Sequence, residues 1–302
     1  MATTIPVCVV GAGLMGHGIA QAFAQSGHAV VLHDSRPEVL ETAPRRIREN
    51  LEQMGVDAGP VMANLEVCAD LARAASSSSL VIEAVPEILE LKQELFGDLA
   101  RVSPSDAILA SNTSVIPITR IGERLPDAAR ARLVGMHWWN PPHLIPLVEV
   151  IKTECSREDV FEAAFDLLLA MGKKPVKVFH EVPGFIGNRL QHAMWREALH
   201  LVAEGVCTPE AIDEVVKHGF GKRLPYLGPM ENADLVGLAL TRQVHRLLFP
   251  HLCRDPVPSP VLETLIEQGN TGMESGKGLR AWSSSEAENL RHELNRRLLE
   301  AD

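Results

Sequence analysis

The sequence is short of several things, and each shortage closes off a class of protein. Cysteine is sparse: Cys8, Cys68, Cys155, Cys207 and Cys253 lie far apart, are odd in number and form no CxxC pair. That pattern excludes a disulfide framework and a zinc motif, so no metal is expected. The five read as buried free thiols of a reducing compartment. Basic charge is short too, with 29 Lys and Arg against 39 Asp and Glu and a net charge of −10. A non-specific nucleic-acid binder needs the opposite balance to neutralise phosphates. No uninterrupted apolar run approaches the ~18 residues of a membrane span. The N-terminus has neither a charged n-region nor an apolar h-region. A cytoplasmic protein is expected, with no membrane and no nucleic-acid partner. Internal repeats are absent, and the serine run Ser76–Ser79 is a loop before a strand.

What is present is ordinary globular composition, 46% apolar and 23% charged over 302 residues, comfortable for two domains with real cores. The first half alternates β-branched runs with helical patterns. Ile5–Val10, Ala29–His33, Leu80–Val85, Ala107–Ala110, Arg132–Met136, Leu147–Ile151 and Val176–Phe179 read as strands, and Gly16–Ser26 and Pro37–Gln53 as helices. Such alternation predicts an α/β fold whose parallel sheet is covered on both faces. Beyond His180–Phe185 the pattern turns helical. Thr208-Pro209 opens a helix that Gly219 ends, and Ser259-Pro260 opens another. Ser285 and Glu288 have capping-box spacing ahead of a Leu290, Leu294, Leu298 stripe. The expected organisation is a Rossmann-type dinucleotide-binding domain at 1–182 and an all-helical C-terminal domain at 183–302.

"VCVVGAGLMGHGIA" sets Gly11, Gly13 and Gly16 as GxGxxG between an apolar strand and a helix. Gly11 permits the tight turn, Gly13 lets the backbone approach a pyrophosphate, and Gly16 lets helix and strand pack closely. Leu14 and Met15 complete the turn, and the helix N-terminus faces the negative charge. Asp34, at the end of the next strand, is placed to accept from the adenosine ribose hydroxyls. Its carboxylate favours NAD over NADP, a preference that nearby Arg36 tempers. The alternative is a glycine-rich turn with an unrelated aspartate, which strand, helix and acid in register argue against.

Oxidation of an alcohol needs a base for the hydroxyl proton and a group to orient that base. His137 follows a strand, at the carboxyl end of the sheet where such folds bind ligands. Glu149 sits inside the apolar strand Leu147–Ile151, where an unpartnered carboxylate is costly. A carboxylate bonded to the imidazole N–H fixes its tautomer and supports its cation. The competing reading is a salt-bridged Glu on an edge strand and a loop His. Ser111, Asn112, Thr113 and Ser114 follow a strand directly, and a hydroxyl there can hold a substrate oxygen or simply cap a turn. Asn188 falls in the first turns of the helix that opens the second domain.

GAGLMGHG, Ala84–Glu87, SNTS, HWWNPP…LVEVI and PGFIGNRL occur together and in order. On these motifs the chain resembles the L-3-hydroxyacyl-CoA dehydrogenase family along nearly its whole length. The resemblance implies NAD as cofactor and a helical domain that forms a homodimer. It makes His137 the general base, Glu149 its partner, and Ser114 and Asn188 contacts to the substrate oxygen. Glu87, Lys92 and Asn140 match positions lining the nicotinamide side of the cofactor site. The implied function is NAD-dependent interconversion of an L-3-hydroxyacyl compound, of the 3-hydroxyacyl-CoA type, and its 3-keto form, as in fatty acid metabolism.

Two departures stand out. The stretch after the second strand is shorter than the lysine-rich hairpin with which thioester-using members clasp CoA, and it turns acidic and apolar after Arg48. Glu274 stands where the closing motif usually has lysine. "GFGKRLPYLGPMEN" looks closer to the branch acting on free hydroxy acids, which includes L-gulonate 3-dehydrogenase, lambda-crystallin and carnitine dehydrogenase. Arg223 matches an arginine of that branch. It is suited to a substrate carboxylate, or else is a surface arginine at a helix end. A crystallin-like protein that binds NAD without turnover is the remaining alternative.

Overall fold

Val7–Val10 is buried at every position, as a strand covered by helices on both faces requires. The computed structural model describes residues 4–300. Eight strands make one sheet: β1 (Val7–Val10), β2 (Val30–His33), β3 (Leu65–Val67), β4 (Leu80–Glu83), β5 (Ile108–Ser111), β6 (Leu133–Trp138), β7 (Leu147–Ile151) and β8 (Lys174–Val178). Their order is β3-β2-β1-β4-β5-β6-β7-β8. Val7 and Val9 point into one core with Ile19, Phe23 and Ile47. Cys8 and Val10 alternate to the other face, against Val81, Phe96 and Ile118, as the two-residue period of a strand dictates.

The sheet is parallel from β3 to β6, so it is mostly and not wholly parallel. β7 runs antiparallel to β6, and β8 runs parallel to β7. Residues 139–146 are too few for a parallel return, which takes about a dozen residues or more. That hairpin sets His137 directly opposite Glu149, where side chains share a face some 5 Å apart. β6 extends through Trp138, so His137 lies within the strand and not after it. β3 has no counterpart in the sequence reading; two of its three residues are exposed, which removes the apolar alternation a strand shows in sequence.

β1 and β4 are neighbours although two strands separate them in the chain, so the connections leave β1 and β4 in opposite directions. This is the switch point where open α/β sheets bind ligands, outside the carboxyl ends of their strands.

By compactness the described chain divides into two units. One runs through Arg189 and includes the last turn of the terminal helix from Arg297; the other is Leu190–Arg296. The second unit is helical, with Pro209–His218, Pro229–Val236, Leu238–Leu248 and Pro260–Glu267. Thr208 Oγ1 accepts from the Ala211 amide and Ser259 Oγ from the Val261 amide, each at 3.3 Å. The terminal helix, Ser284–Glu300, starts two residues earlier than a Ser285 and Glu288 capping box requires. Its capping box is Ser283 and Glu286, with Ser283 N donating to Glu286 Oε2 (2.8 Å) and Glu286 N to Ser283 Oγ (3.2 Å). Three consecutive serines offer several registers, and the first able to exchange both bonds with a glutamate becomes the cap. No helix among the described residues is long and apolar enough to cross a membrane. All five cysteines are free, but only Cys8 and Cys68 are buried; burial, then the neighbouring Cys68 thiol, pushes Cys8 up to about 12.

Candidate active site

Gly11 closes β1 with φ +100°, and a β-carbon there would lie 2.6 Å from the Ala84 carbonyl oxygen of the turn after β4. A β-carbon on Gly16 would lie 1.6 Å from Gly11 O. These two glycines let strand, helix and neighbouring turn close together. Gly13 is different: nothing lies within 4 Å of the β-carbon position. It precedes the Leu14–Gln25 helix, whose N-terminus carries no side-chain cap. Open space beside uncapped amides is what a pyrophosphate needs.

Asp34, at the end of β2, accepts from the Ala12 amide through Oδ2 (2.8 Å) and from the Arg36 amide through Oδ1 (2.9 Å). Each carboxylate oxygen has a second lone pair, so ribose hydroxyls can still be accepted. Two further residues brace this turn and carry no spacing signal in the sequence. Arg46 donates through Nη2 to Ala12 O (2.6 Å) and Val39 O (3.3 Å). His17 Nδ1 lies 2.6 Å from Gly13 O, and burial holds this imidazole below its usual pKa. The residues present fit a dinucleotide.

Placing a methyl group at Gly13 tests that assignment without disturbing the fold. Gly13→Ala is expected to keep its thermal midpoint within about 2 °C, since no atom meets the new carbon. It should weaken NADH binding at least tenfold, or about 1.4 kcal/mol. A fluorescence titration that finds unchanged affinity removes the pyrophosphate from this turn.

The end of β4 holds a second network. Glu83 is fully buried and its Oε1 accepts from Lys92 Nζ (2.6 Å) and the Val85 amide (2.7 Å), while Oε2 accepts from Ser111 Oγ (2.6 Å). Burial pushes the Glu83 carboxyl above its usual pKa against the opposing pull of Lys92, Ser111 and the Val85 amide. Lys92 also reaches Glu87 Oε2 at 3.2 Å. Glu87 Oε1 in turn collects the amides of Ser114 (3.0 Å), Val115 (3.1 Å) and Ile116 (3.4 Å) and the Thr113 hydroxyl. Burial alone would raise Glu87; Thr113, Lys92 and the amides outweigh it and hold its pKa low. The loop that carries Ser114 is thus pinned from below by a carboxylate. Asn112 ties the ends of β4, β5 and β6 by donating its amide to Glu83 O (2.8 Å) and accepting from the Trp138 amide (2.8 Å).

His137 and Glu149 meet across the hairpin. His137 Nδ1 lies 2.7 Å from Glu149 Oε2, and both side chains are almost wholly buried. Burial, the largest single influence, would raise Glu149; the His137 bond and the amides of Gly187 and Ile186 overcome it and hold its pKa low. An ionised carboxylate only accepts, so Nδ1 carries a proton, and in the neutral ring the lone pair is on Nε2. Among the described residues Nε2 has no hydrogen-bond partner. The ring is flanked by Trp139 and Phe185 at centroid distances of 5.5 and 5.6 Å.

Glu149 Oε1 is held as firmly, by Ile186 N (2.8 Å) and Gly187 N (3.0 Å) at the start of the Gly187–Ala203 helix. These consecutive amides converge because Phe185 adopts φ +48°. A bulky residue in the left-handed region costs about 1–3 kcal/mol, and the nest of N–H groups around a buried carboxylate offsets it. The residue after Gly187, Asn188, donates through Nδ2 to Ser114 O at 3.0 Å.

The structure therefore brings His137, Glu149, Ser114 and Asn188 into one connected group. Asn140 is exposed in the 139–146 loop, and Leu14 and Met15 lie in the first turn of the helix after Gly13. Arg223 belongs to the helical unit, where it ends the turn Phe220–Arg223 with its side chain exposed. Glu83, Phe185, Arg46 and His17 are the residues that sequence reasoning did not single out, and Ser111, one of the hydroxyls offered for a substrate oxygen, instead donates to buried Glu83.

Residues 6–182 match the family model described as the 3-hydroxyacyl-CoA dehydrogenase NAD binding domain, and residues 184–282 match its C-terminal domain. The chain belongs to the 3-hydroxyacyl-CoA dehydrogenase family. It is an NAD-dependent oxidoreductase with a Rossmann-type domain followed by a helical domain. Among curated relatives, the 5-formyl-3-hydroxy-2-methylpyridine 4-carboxylate 5-dehydrogenase of Mesorhizobium japonicum is 35% identical over 300 residues, covering 97% of this chain and 96% of its own. The L-carnitine dehydrogenase of Nocardiopsis dassonvillei is 40% identical over 237 residues, 76% of this chain and 70% of its own. The probable 3-hydroxybutyryl-CoA dehydrogenase of Bacillus subtilis is 35% identical over 280 residues, 90% and 95% of the two chains. A crystal structure of the pyridine-carboxylate dehydrogenase superposes with TM-score 0.91 at 32% identity, covering 98% of this chain and 97% of that one. The (S)-3-hydroxybutyryl-CoA dehydrogenase from Ralstonia eutropha gives 0.76 at 30% identity, covering 93% and 100%.

Proposed function

We propose that His137 is the general base of an NAD-dependent dehydrogenase that interconverts a 3-hydroxyacyl compound and its 3-keto form. The observation that carries the reading is the buried 2.7 Å contact between His137 Nδ1 and Glu149 Oε2. The turn of Gly11, Gly13 and Gly16 with Asp34 would hold NAD, which would supply the hydride acceptor for the carbinol carbon. His137 Nε2 takes the hydroxyl proton, and Glu149 holds the ring in place and stabilises the imidazolium that forms. The Ser114 hydroxyl and the Asn188 amide group hold the reacting oxygen where charge develops. Glu87, Lys92 and Asn140 line the nicotinamide side. In this reading the nucleotide domain ends near residue 182, and the helical domain from 183 completes the enzyme in a reducing, cytoplasmic setting that suits five free thiols.

A free-carboxylate substrate is the second reading. Its support is the similarity, over nearly the whole length of both chains, to a dehydrogenase whose name specifies a pyridine carboxylate, together with the short stretch after β2. Arg223 would bind the carboxylate in bidentate fashion. An NADH-oxidation screen pairing acetoacetyl-CoA with free 3-keto acids, dehydrocarnitine and dehydrogulonate tests both readings. Thioester turnover only removes the role of Arg223. Free-acid turnover that Arg223→Met lowers about 100-fold supports it. NADH binding with no turnover on any of them favours a non-catalytic protein.

The helical domain also supports a homodimer. The helices Gly187–Ala203, Pro209–His218, Pro229–Val236, Leu238–Leu248 and Pro260–Glu267 contain no buried residue. Leu235, Leu238 and Leu247 are 74%, 64% and 76% exposed, and apolar surface of that extent marks an interaction site. Light scattering at micromolar concentration is expected to give twice the chain mass, and a monomer there would contradict this.

A further inference from the structure

His200, Cys253 and Asp255 form a cluster that the chemistry above does not use. His200 lies on the Gly187–Ala203 helix, and the other two lie two residues apart just past the turn Phe249–His251. One ligand-type atom from each side chain falls within 4.8 Å of the other two. Among the described residues none of these three side chains has a hydrogen bond or an ion pair, although imidazole, thiol and carboxylate all form them readily. His200 and Cys253 are partly buried and Asp255 is exposed. Imidazole, thiol and carboxylate that face one another at this distance can share one cation.

We infer that this cluster is a transition-metal site, with Zn2+ as the fitting ion. Thiolate and imidazole select a borderline-soft ion and disfavour Ca2+ and Mg2+, which take oxygen ligands. A thiolate and a carboxylate neutralise the charge of a divalent ion, and the thiol proton leaves to solvent on binding. Bonds of about 2.0–2.3 Å give tetrahedral ligand–ligand edges of about 3.3–3.8 Å. Closure from 4.8 Å therefore needs only about an ångström of side-chain rotation. Three protein ligands leave the fourth position to water.

The surroundings support the assignment. Glu197, one helical turn before His200, accepts from the Cys253 amide at 2.7 Å. That bond fixes the backbone that presents the thiol and acts as the outer layer that orients ligands in metal sites. The cluster also joins a helix to a segment some fifty residues later, in a unit whose helices bury almost nothing. A clip across a long loop stabilises most where the core is thin.

The test uses the full chain, stripped with a chelator and titrated with Co2+ and Zn2+. One equivalent of Co2+ is expected to produce a thiolate-to-cobalt charge-transfer band, which excess Zn2+ abolishes. Saturating Zn2+ should raise the thermal midpoint by roughly 5 °C. Cys253→Ser loses both effects, His200→Asn weakens metal affinity at least tenfold, and Glu197→Gln does so about tenfold. Far-UV circular dichroism confirms that the variants fold. Absence of the band in the parent chain, or its persistence in Cys253→Ser, overturns the site. NADH turnover of Cys253→Ser stays at the parent rate, so loss of metal and loss of dehydrogenase activity are separately read.

Discussion

His137→Ala is expected to lower kcat by 10²–10⁴-fold while NADH affinity stays within about twofold. A loss of that size is expected if, as proposed, the imidazole Nε2 is the base, since no other titratable side chain shares the 2.7 Å contact with Glu149. The proposed nucleotide site, by contrast, is built from Gly11, Gly13, Gly16 and Asp34 just after β1 and β2 and does not depend on the ring. Alanine also empties space between Trp139 and Phe185 and strips Glu149 Oε2 of its donor, which costs about 1–3 kcal/mol of stability. His137→Asn is the better companion, since its side-chain N–H can still face the carboxylate while no basic lone pair remains. Both variants should bind NADH and neither should turn over. Stopped-flow oxidation of NADH separates the two quantities, and turnover at the parent rate in either variant removes His137 from the chemistry.

The glutamate that forms this pair was legible in the sequence because of where it stands. A carboxylate flanked by Val148 and Val150 breaks an apolar strand, and burial makes an unpaired charge too costly to keep. The same signal marks Glu83, which ends the apolar run Leu80–Ile82 and is just as buried. In the sequence Glu83 has no histidine or motif to pair it with, because its partner Lys92 lies on a helix nine residues away. The glycine turn and Asp34 were legible because each follows from backbone geometry that few residues satisfy. The antiparallel return of β7 was not, since patterns of burial are the same whichever way a strand runs. Yet that reversal is what places Glu149 opposite His137. Phe185 was invisible for a different reason: nothing in its side chain favours φ +48°, which is imposed by the amides it aims at Glu149. Arg46 and His17 act through backbone carbonyls of the glycine turn, contacts that leave no periodicity to read.

Lys92→Met is expected to destabilise the chain by about 3–5 kcal/mol. Lys92 and Glu83 are 1% and 0% exposed and lie 2.6 Å apart. Removing the ammonium leaves the Glu83 carboxyl in the interior with only the Ser111 hydroxyl and the Val85 amide against the burial that already raises its pKa. It must then either stay an uncompensated ion or take up a proton, and either costs more than one lost bond. The double variant Glu83→Gln with Lys92→Met removes both charges and should recover most of that loss, because buried ion pairs contribute little net stability against neutral isosteres. Urea midpoints read the difference, with slopes unchanged if the unfolded states match. Equal destabilisation in the single and double variants would mean that packing, and not charge, is what Lys92 supplies. The consequence for activity follows from the same contacts. Glu87 keeps its bonds to the amides of Ser114, Val115 and Ile116 when Lys92 is gone but loses the 3.2 Å contact that fixes its other oxygen. Ser114 should therefore be less well placed in both variants. A kcat that stays low in the double variant after its stability has recovered identifies Lys92 as a positioning residue for the Ser114 loop as well as a partner for Glu83.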